Sequence, residues 1–247
     1  MTREVKNIMT PKLIFATHNQ KKTAEFTAIL SSLLQTDIPK GYVISAKDAG
    51  LEDVVENGVT FAENARIKAE HAFNATGIPS VGDDSGLMVR VMNGCPGIFS
   101  ARWAGMHYSG SADSERLFAE RTDSGLLLAQ LADIPLQHRG AKFSCTMHLT
   151  LSADKYVVQT GEVHGAIATA KSGANGFGYD PIFAPFNQNP LNISTTTIQH
   201  TSVKDLLSDP NVRLFADFEP REKDAISHRY EAMKRLAGEF FGLMSKE

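Results

Sequence analysis

Cysteine is scarce. The chain carries two in 247 residues, Cys95 and Cys145. They lie far apart, which excludes a disulfide framework and a cysteine-rich zinc site and points to a reducing, cytoplasmic compartment. Positive charge is not in excess either: 25 Lys and Arg face 28 Asp and Glu, a formal net charge of −3. A general nucleic-acid or membrane-surface binder needs the opposite balance, so neither partner is expected. Any polyanion must be met by a local cluster of cations. No apolar run approaches the ~18 residues of a membrane-spanning helix. Met1–Met9 is interrupted by Glu4, Lys6 and Asn7 and lacks the apolar core of a signal peptide. G-x-x-x-x-G-K-[ST], H-E-x-x-H and G-x-S-x-G are all missing, since Ser85 lies in G-x-x-S-G.

What is present is the composition of an ordinary globular protein, 42% hydrophobic and 21% charged. The length suits one large domain or two lobes around a cleft. The chain is organised around Ser80–Leu87, which reads S-V-G-D-D-S-G-L. Gly82 and Gly86 bracket two adjacent carboxylates, Asp83 and Asp84, and glycines so placed predict a tight turn whose backbone can approach a ligand closely. Neighbouring residues on an extended chain point to opposite faces, so one aspartate can face a cleft while the other braces the backbone.

In chain order, Lys12–Ala16 predicts a short buried strand running into Thr17-His18-Asn19-Gln20-Lys21-Lys22 and a helix through Phe26, Ile29, Leu30 and Leu33. Thr17 and Asn19 are capping residues, so this junction is a helix N-terminus. Its N–H groups and Lys22 make an anion site. Tyr42–Ser45 predicts a second strand. Thr60-Phe61-Ala62-Glu63 has capping-box spacing and opens a helix to about Thr76, ended by Gly77. At about 100° per residue Lys68 falls within about 20° of Phe61, inside the apolar face of that helix. A lysine there must snorkel out or meet a negative charge. Glu56, just before the helix, could serve as a metal ligand or favour the helix dipole.

Beyond the central stretch, Ser114–Glu120 and Leu126–Leu131 read as short helices, and Ala141–Leu151 with Lys155–Val163 as a strand hairpin. Gly173, Gly176 and Gly178 with Phe177 and Tyr179 form a loop that would bring backbone and two aromatic rings to a flat ligand. The stretch Pro185–Arg221 has few regularly spaced apolar residues and is expected to be a peripheral flap outside the core. Ser227 is the expected N-cap of a last helix through Met233, Leu236 and Phe240, with Lys223, His228 and Arg229 as a cationic group at its start.

Six segments taken together resemble the inosine triphosphate pyrophosphatase family. They are T-x-N-x-x-K at Thr17–Lys22, E-x-G-x-T-F-x-E-N-A-x-x-K-A at Glu56–Ala69 and D-D-S-G-L at Asp83–Leu87. P-G-I-F-S-A-R-W-A-G at Pro96–Gly105, G-F-G-Y-D-P-I-F at Gly176–Phe183 and E-K-D-A-I-S-H-R at Glu222–Arg229 follow in the family's order. The resemblance implies an α/β fold over residues 1–247, a single domain of two lobes around an elongated mixed central sheet flanked by helices. The active site would lie in the cleft between lobes. The peripheral insertion expected at about 186–220 is this chain's own. The resemblance also implies a homodimer, and Mg²⁺-dependent hydrolysis of non-standard purine nucleoside triphosphates to monophosphate and pyrophosphate.

Carried over position by position, Asp84 resembles the general base and, with Glu56, the metal-binding pair. Thr17, His18, Asn19, Gln20, Lys21, Lys22, Lys68 and Ser85 resemble the phosphate grip. Phe177, Gly178, Tyr179, Asp180, Lys223, His228 and Arg229 resemble the base and ribose pocket. The residue chemistry agrees, since Mg²⁺ takes one or two carboxylates plus substrate phosphates and phosphoryl transfer needs charge neutralisation more than a covalent nucleophile. His18 departs from the family by replacing a small residue, often glycine, and the link from Pro185 to Arg221 is longer than usual. Maf-type nucleotide pyrophosphatases are the neighbouring alternative, against which Ser227-His228-Arg229 speaks. A nucleotide-binding module without turnover is the other.

Overall fold

Strand β1, Leu13–Phe15, is buried along its whole length, as a three-residue apolar run between two parallel neighbours must be. The computed structural model describes residues 12–105, 122–189, 191 and 200–245; the helix expected at Ser114–Glu120 lies outside them. The described residues form a six-stranded mixed sheet in the order β2-β1-β3-β4-β5-β6, flanked by helices. The chain divides into two compact units, residues 1–84, 146–160 and 231–247, and residues 85–145 and 161–230.

In the first unit β1 pairs in parallel with β2 (Val43–Ser45) and with β3 (Ser80–Val89), with Phe15 opposite both Ser45 and Val81. Helix α1, Gln20–Leu34, buries Phe26, Ile29 and Leu30. Phe26 stacks on Phe15 at 4.5 Å and meets Phe240 edge-on at 5.8 Å. Burying such a ring contributes roughly 1.5–3 kcal/mol. Helix α2, Phe61–Thr76, has both halves of the Thr60/Glu63 capping box and ends on Gly77 at φ 70°.

The central stretch is not a turn. Ser80–Val89 is one continuous strand, and neither Gly82 nor Gly86 adopts a positive φ. The reason for Gly82 is packing: a Cβ there would collide with the Ala65 carbonyl oxygen and sit 2.8 Å from the Ala69 nitrogen. The helix backbone lies directly on the strand. Ala65, Ala69 and Ala72 are fully buried because nothing larger fits at that separation.

Strands β4 (Gly140–Ser152) and β5 (Lys155–Ile167) are joined by two residues, and their stretch Thr146–Thr160 is counted with the first unit; in the second unit β6 (Phe183–Pro185) runs antiparallel to β5 with Ile167 opposite Phe183. Leu87, Val89, Phe143, Ile182, Phe183, Phe215 and Phe218 form its main apolar cluster, to which helix α3, Asp123–Gln130, adds Leu127. Arg139 is 2% exposed and donates to the carbonyls of Leu131, Ile167 and Ala168. Burial pushes its pKa down.

The flap expectation fails for residues 203–218. Helix α4, Val203–Ser208, buries Leu206, while Leu214, Phe215 and Phe218 are each at most 3% exposed and belong to the apolar clusters. These residues come from separate short turns, each donating one or two side chains, so no single period announces them. Two further helices complete the unit's described part, α5 (Pro220–Asp224) and the start of α6 (His228–Met244).

Candidate active site

Five charged side chains and one amide gather where β3 meets α1 and α2. The β1–α1 junction is built as its residues require: Thr17 Oγ1 accepts from the Asn19 N–H at 3.1 Å, and Asn19 Oδ1 accepts from those of Lys21 and Lys22 at 3.0 and 3.4 Å. Asn19 thereby occupies two of the N–H groups expected to be open to an anion. Gln20 points to the end of β2, reaching Ser45 Oγ at 3.4 Å and Asp48 at 3.5 Å, and Lys21 is exposed. Lys22 turns inward, its Nζ 3.3 Å from Asp83 Oδ1. His18 is half-buried and faces Glu52, Asp53, Lys68 and His71 across a small cavity, its Nε2 buried without a hydrogen-bond partner.

Lys68 does not snorkel. It is 9% exposed, with Nζ 3.1 Å from Glu56 Oε1. Burial works to lower its pKa, but the attraction of Asp83, Glu56 and Asp84 and the hydrogen bond to Glu56 outweigh it, and the pKa lies above the ordinary value. Asp84 is also 9% exposed. Burial raises its pKa most, with repulsion from Glu56 and Asp83 adding to that; Lys68 and the hydrogen bond from Asn64 oppose it without cancelling it. A carboxylate held in a dry site with its pKa raised is suited to accept a proton.

Asn64 had no assigned role in the sequence, and it is 1% exposed. Its Nδ2 donates to Asp84 Oδ2 at 2.9 Å and its Oδ1 accepts from the Gly58 N–H at 2.8 Å. It thus ties the loop after Glu56 to Asp84. Gly58 is required there, because a Cβ would stand 2.6 Å from Asn64 Oδ1 and 2.7 Å from Glu63 Cβ. The available signal was angular: Asn64 falls about 40° from Lys68 on the helix wheel, at the margin of the apolar face. Ser85 follows Asp84 on β3 and is half-buried.

A second group lies within the second unit. Gly173, Gly176 and Gly178 have φ of +80°, +76° and +62°, so the expected glycine loop does use left-handed backbone. Asp180, 4% exposed, accepts from the Phe177 N–H at 2.8 Å and from Lys223 Nζ at 2.7 Å. Gly176 makes room for it, since a Cβ there would strike Asp180 Oδ2. The Lys223 ammonium stands 5.0 Å from the centre of the Phe177 ring, which is 43% exposed. The loop offers one ring, not two: Tyr179 is buried, its hydroxyl donates to the Ser100 carbonyl at 2.9 Å, and burial pushes its pKa up.

Ser227 caps the last helix by accepting from the Tyr230 N–H at 3.0 Å. His228 stacks on Phe143 at 4.9 Å and 11°, and Arg229 is 1% exposed. The cations expected at this helix start are therefore buried groups, not solvated ones.

Residues 13–203 match the family model described as the Ham1 family. The chain is 40% identical over 225 residues to a dITP/XTP pyrophosphatase of Streptomyces coelicolor, covering 91% of this chain and 94% of that one. A HAM1 protein from Coxiella burnetii superposes with a TM-score of 0.68 at 31% identity, covering 95% of this chain and 100% of that one. A nucleoside-triphosphatase, dITP/XTP pyrophosphatase, from Mycobacterium abscessus gives 0.60 at 36% identity, covering 91% and 97%.

Proposed function

The chain belongs to the Ham1 family, and from that premise we propose that it hydrolyses non-standard purine nucleoside triphosphates, those of inosine, deoxyinosine and xanthosine, to monophosphate and pyrophosphate. The observation that carries this reading is the charge cluster of buried Asp83, Asp84 and Lys68 with half-buried Glu56 and Lys22, three carboxylates with two ammonium groups. A cluster with one uncompensated negative charge suits a divalent cation. Among the described residues no three His, Cys, Asp or Glu side chains stand ready to hold an ion by themselves. A site of that kind fits Mg²⁺, which takes hard oxygen donors and completes its shell with water and phosphate.

Glu56 and Asp84 would hold the ion, which when bound neutralises phosphate charge in the substrate. Asp84 takes the proton from the attacking water. The water oxygen bonds to the α-phosphorus, the bond from that phosphorus to the bridging oxygen breaks, and pyrophosphate leaves with its electrons. Lys22 and Lys68, now held by Asp83 and Glu56, would exchange those partners for phosphate oxygens. Asn64 keeps Asp84 oriented throughout. In the second unit the exposed Phe177 ring would carry the purine. Asp180 and Lys223 fix the loop that presents it, and Arg229 with His228 reads the base edge and ribose.

Family likeness also supports a homodimer in the cytoplasm and a single domain of two lobes. Pyrophosphate release from inosine, xanthosine and adenosine triphosphates with Mg²⁺ tests the activity. Release from the first two well above the third is expected. Equal release from all three, or orthophosphate as first product, overturns the reading.

A further inference from the structure

On the sheet face of the second unit opposite the aromatic cluster lies a cavity of about 610 Å³, outside everything the proposed reaction uses. The alternation of the strands places it there. Leu87, Val89 and Phe143 point into the aromatic cluster, while Met88 and Lys142, between or beside them, point the other way and line the cavity. His164 of β5 and Val203 and Lys204 of α4 add to the wall. The long connection before α5 therefore builds one side of the cavity.

Its chemistry has two parts. Arg90, Lys142, His164 and Lys204 line it, and no carboxylate does. Glu162 holds Lys142 at 2.8 Å and stands 3.6 Å from His164, so Arg90 and Lys204, both exposed, carry the field that faces outward. The floor is apolar, formed by Met88, Val203 and the half-buried Phe186 ring. A cavity of a few hundred Å³ with an aromatic wall and convergent cations suits a flat ring bearing a phosphate: the ring is desolvated against Phe186 while guanidinium and ammonium groups take the anion. A neutral ligand would leave the cations unanswered, and an inorganic anion would leave the apolar floor wet.

We propose that this cavity is a second binding site for a purine nucleoside monophosphate. The choice of purine rests on the proposed activity, whose product belongs to that class. The site lies on the reverse face of the sheet from Phe143 and His228, so the enzyme can hold product there while the reaction groups remain free for substrate.

Calorimetric titration of the full chain with inosine monophosphate tests this. Two binding events per chain are expected, with the paired substitutions Arg90→Glu and Lys204→Glu weakening one of them at least tenfold and leaving the other. Arg90→Gln with Lys204→Gln should weaken the same event less. Pyrophosphate release at low substrate, unchanged in both variants, reports that they fold. Inosine alone and inorganic phosphate alone should each compete poorly for the charge-sensitive event. A single event in the wild type, or two events indifferent to the charge reversal, overturns the inference. Competition by phosphate alone as strong as by the nucleotide overturns the part played by Phe186. A chain that releases no pyrophosphate yet keeps the charge-sensitive event would sink the proposed activity and leave this site standing.

Discussion

Asn64 and Asp84 form a buried pair in which the amide can take only one orientation. Because Asn64 Oδ1 accepts from the Gly58 N–H at 2.8 Å, its Nδ2 must face Asp84 Oδ2, 2.9 Å away. The pair couples the loop after Glu56 to the proposed base, so Asn64 is a positioning residue. Asn64→Leu keeps a similar volume but removes both hydrogen bonds. It should lower kcat by about 10- to 100-fold while changing KM little, and leave the half-buried Gly58 N–H without its acceptor at a cost of about 1–3 kcal/mol in stability. A kcat within twofold of wild type would show that Asp84 orients itself without help.

Asp84→Asn should cut turnover at least ~10²-fold, because it removes both the base and an oxygen donor's charge. The same substitution should stabilise the metal-free protein. Burial and neighbouring carboxylates raise the Asp84 pKa above its ordinary 3.8. A group of that kind contributes stability below its unfolded pKa and loses it as pH rises through the folded one. The advantage of the Asn variant should therefore be absent near about pH 3 and grow toward neutrality, read as Tm in a chelator. A constant Tm difference across that range would mean that desolvation of Asp84 is not the cause.

Lys68→Met removes the one ammonium that faces three carboxylates. Breaking a buried ion pair from one side costs about 3–5 kcal/mol, so this variant should unfold well below the wild type at neutral pH. Lys68→Arg should recover most of that loss. Denaturant midpoints at equal m-value give the comparison, and equal midpoints for Met and Arg would remove Lys68 from the electrostatic account.

Arginine donates and cannot accept, so Arg229 can satisfy a 6-keto oxygen but meets the 6-amino group of adenine donor to donor. Arg229→Ala should narrow the ratio of inosine to adenosine triphosphate hydrolysis by about 5- to 150-fold, the worth of one unpaired buried contact. Phe177→Ala should raise KM for both substrates alike, because a ring face stacks on any base. An unchanged ratio in Arg229→Ala would place base choice elsewhere.

The elements of the first unit were legible because each has a local cause: the three-residue apolar run of β1, the Thr60/Glu63 capping box and Gly77 at the end of α2. Lys68 was legible as an anomaly, a charge on an apolar face whose resolution needed the position of Glu56. What stayed hidden depended on contacts distant in sequence. Gly82 and Gly86 looked like turn residues because glycine signals both bending and close approach, and only the Ala65 carbonyl against Gly82 decides between them. Tyr179 looked like a second stacking ring until the Ser100 carbonyl claimed its hydroxyl. Arg139 carried no signal, because its partners are backbone carbonyls, which any sequence has.

The most direct test of the central claim is a single turnover of inosine triphosphate in ¹⁸O-labelled water, with the products weighed. Attack at the α-phosphorus by water deprotonated at Asp84 places one ¹⁸O in inosine monophosphate and none in pyrophosphate, and Asp84→Asn abolishes the labelling in the same interval. Label in pyrophosphate or orthophosphate, or undiminished labelling by the Asn variant, would contradict the account.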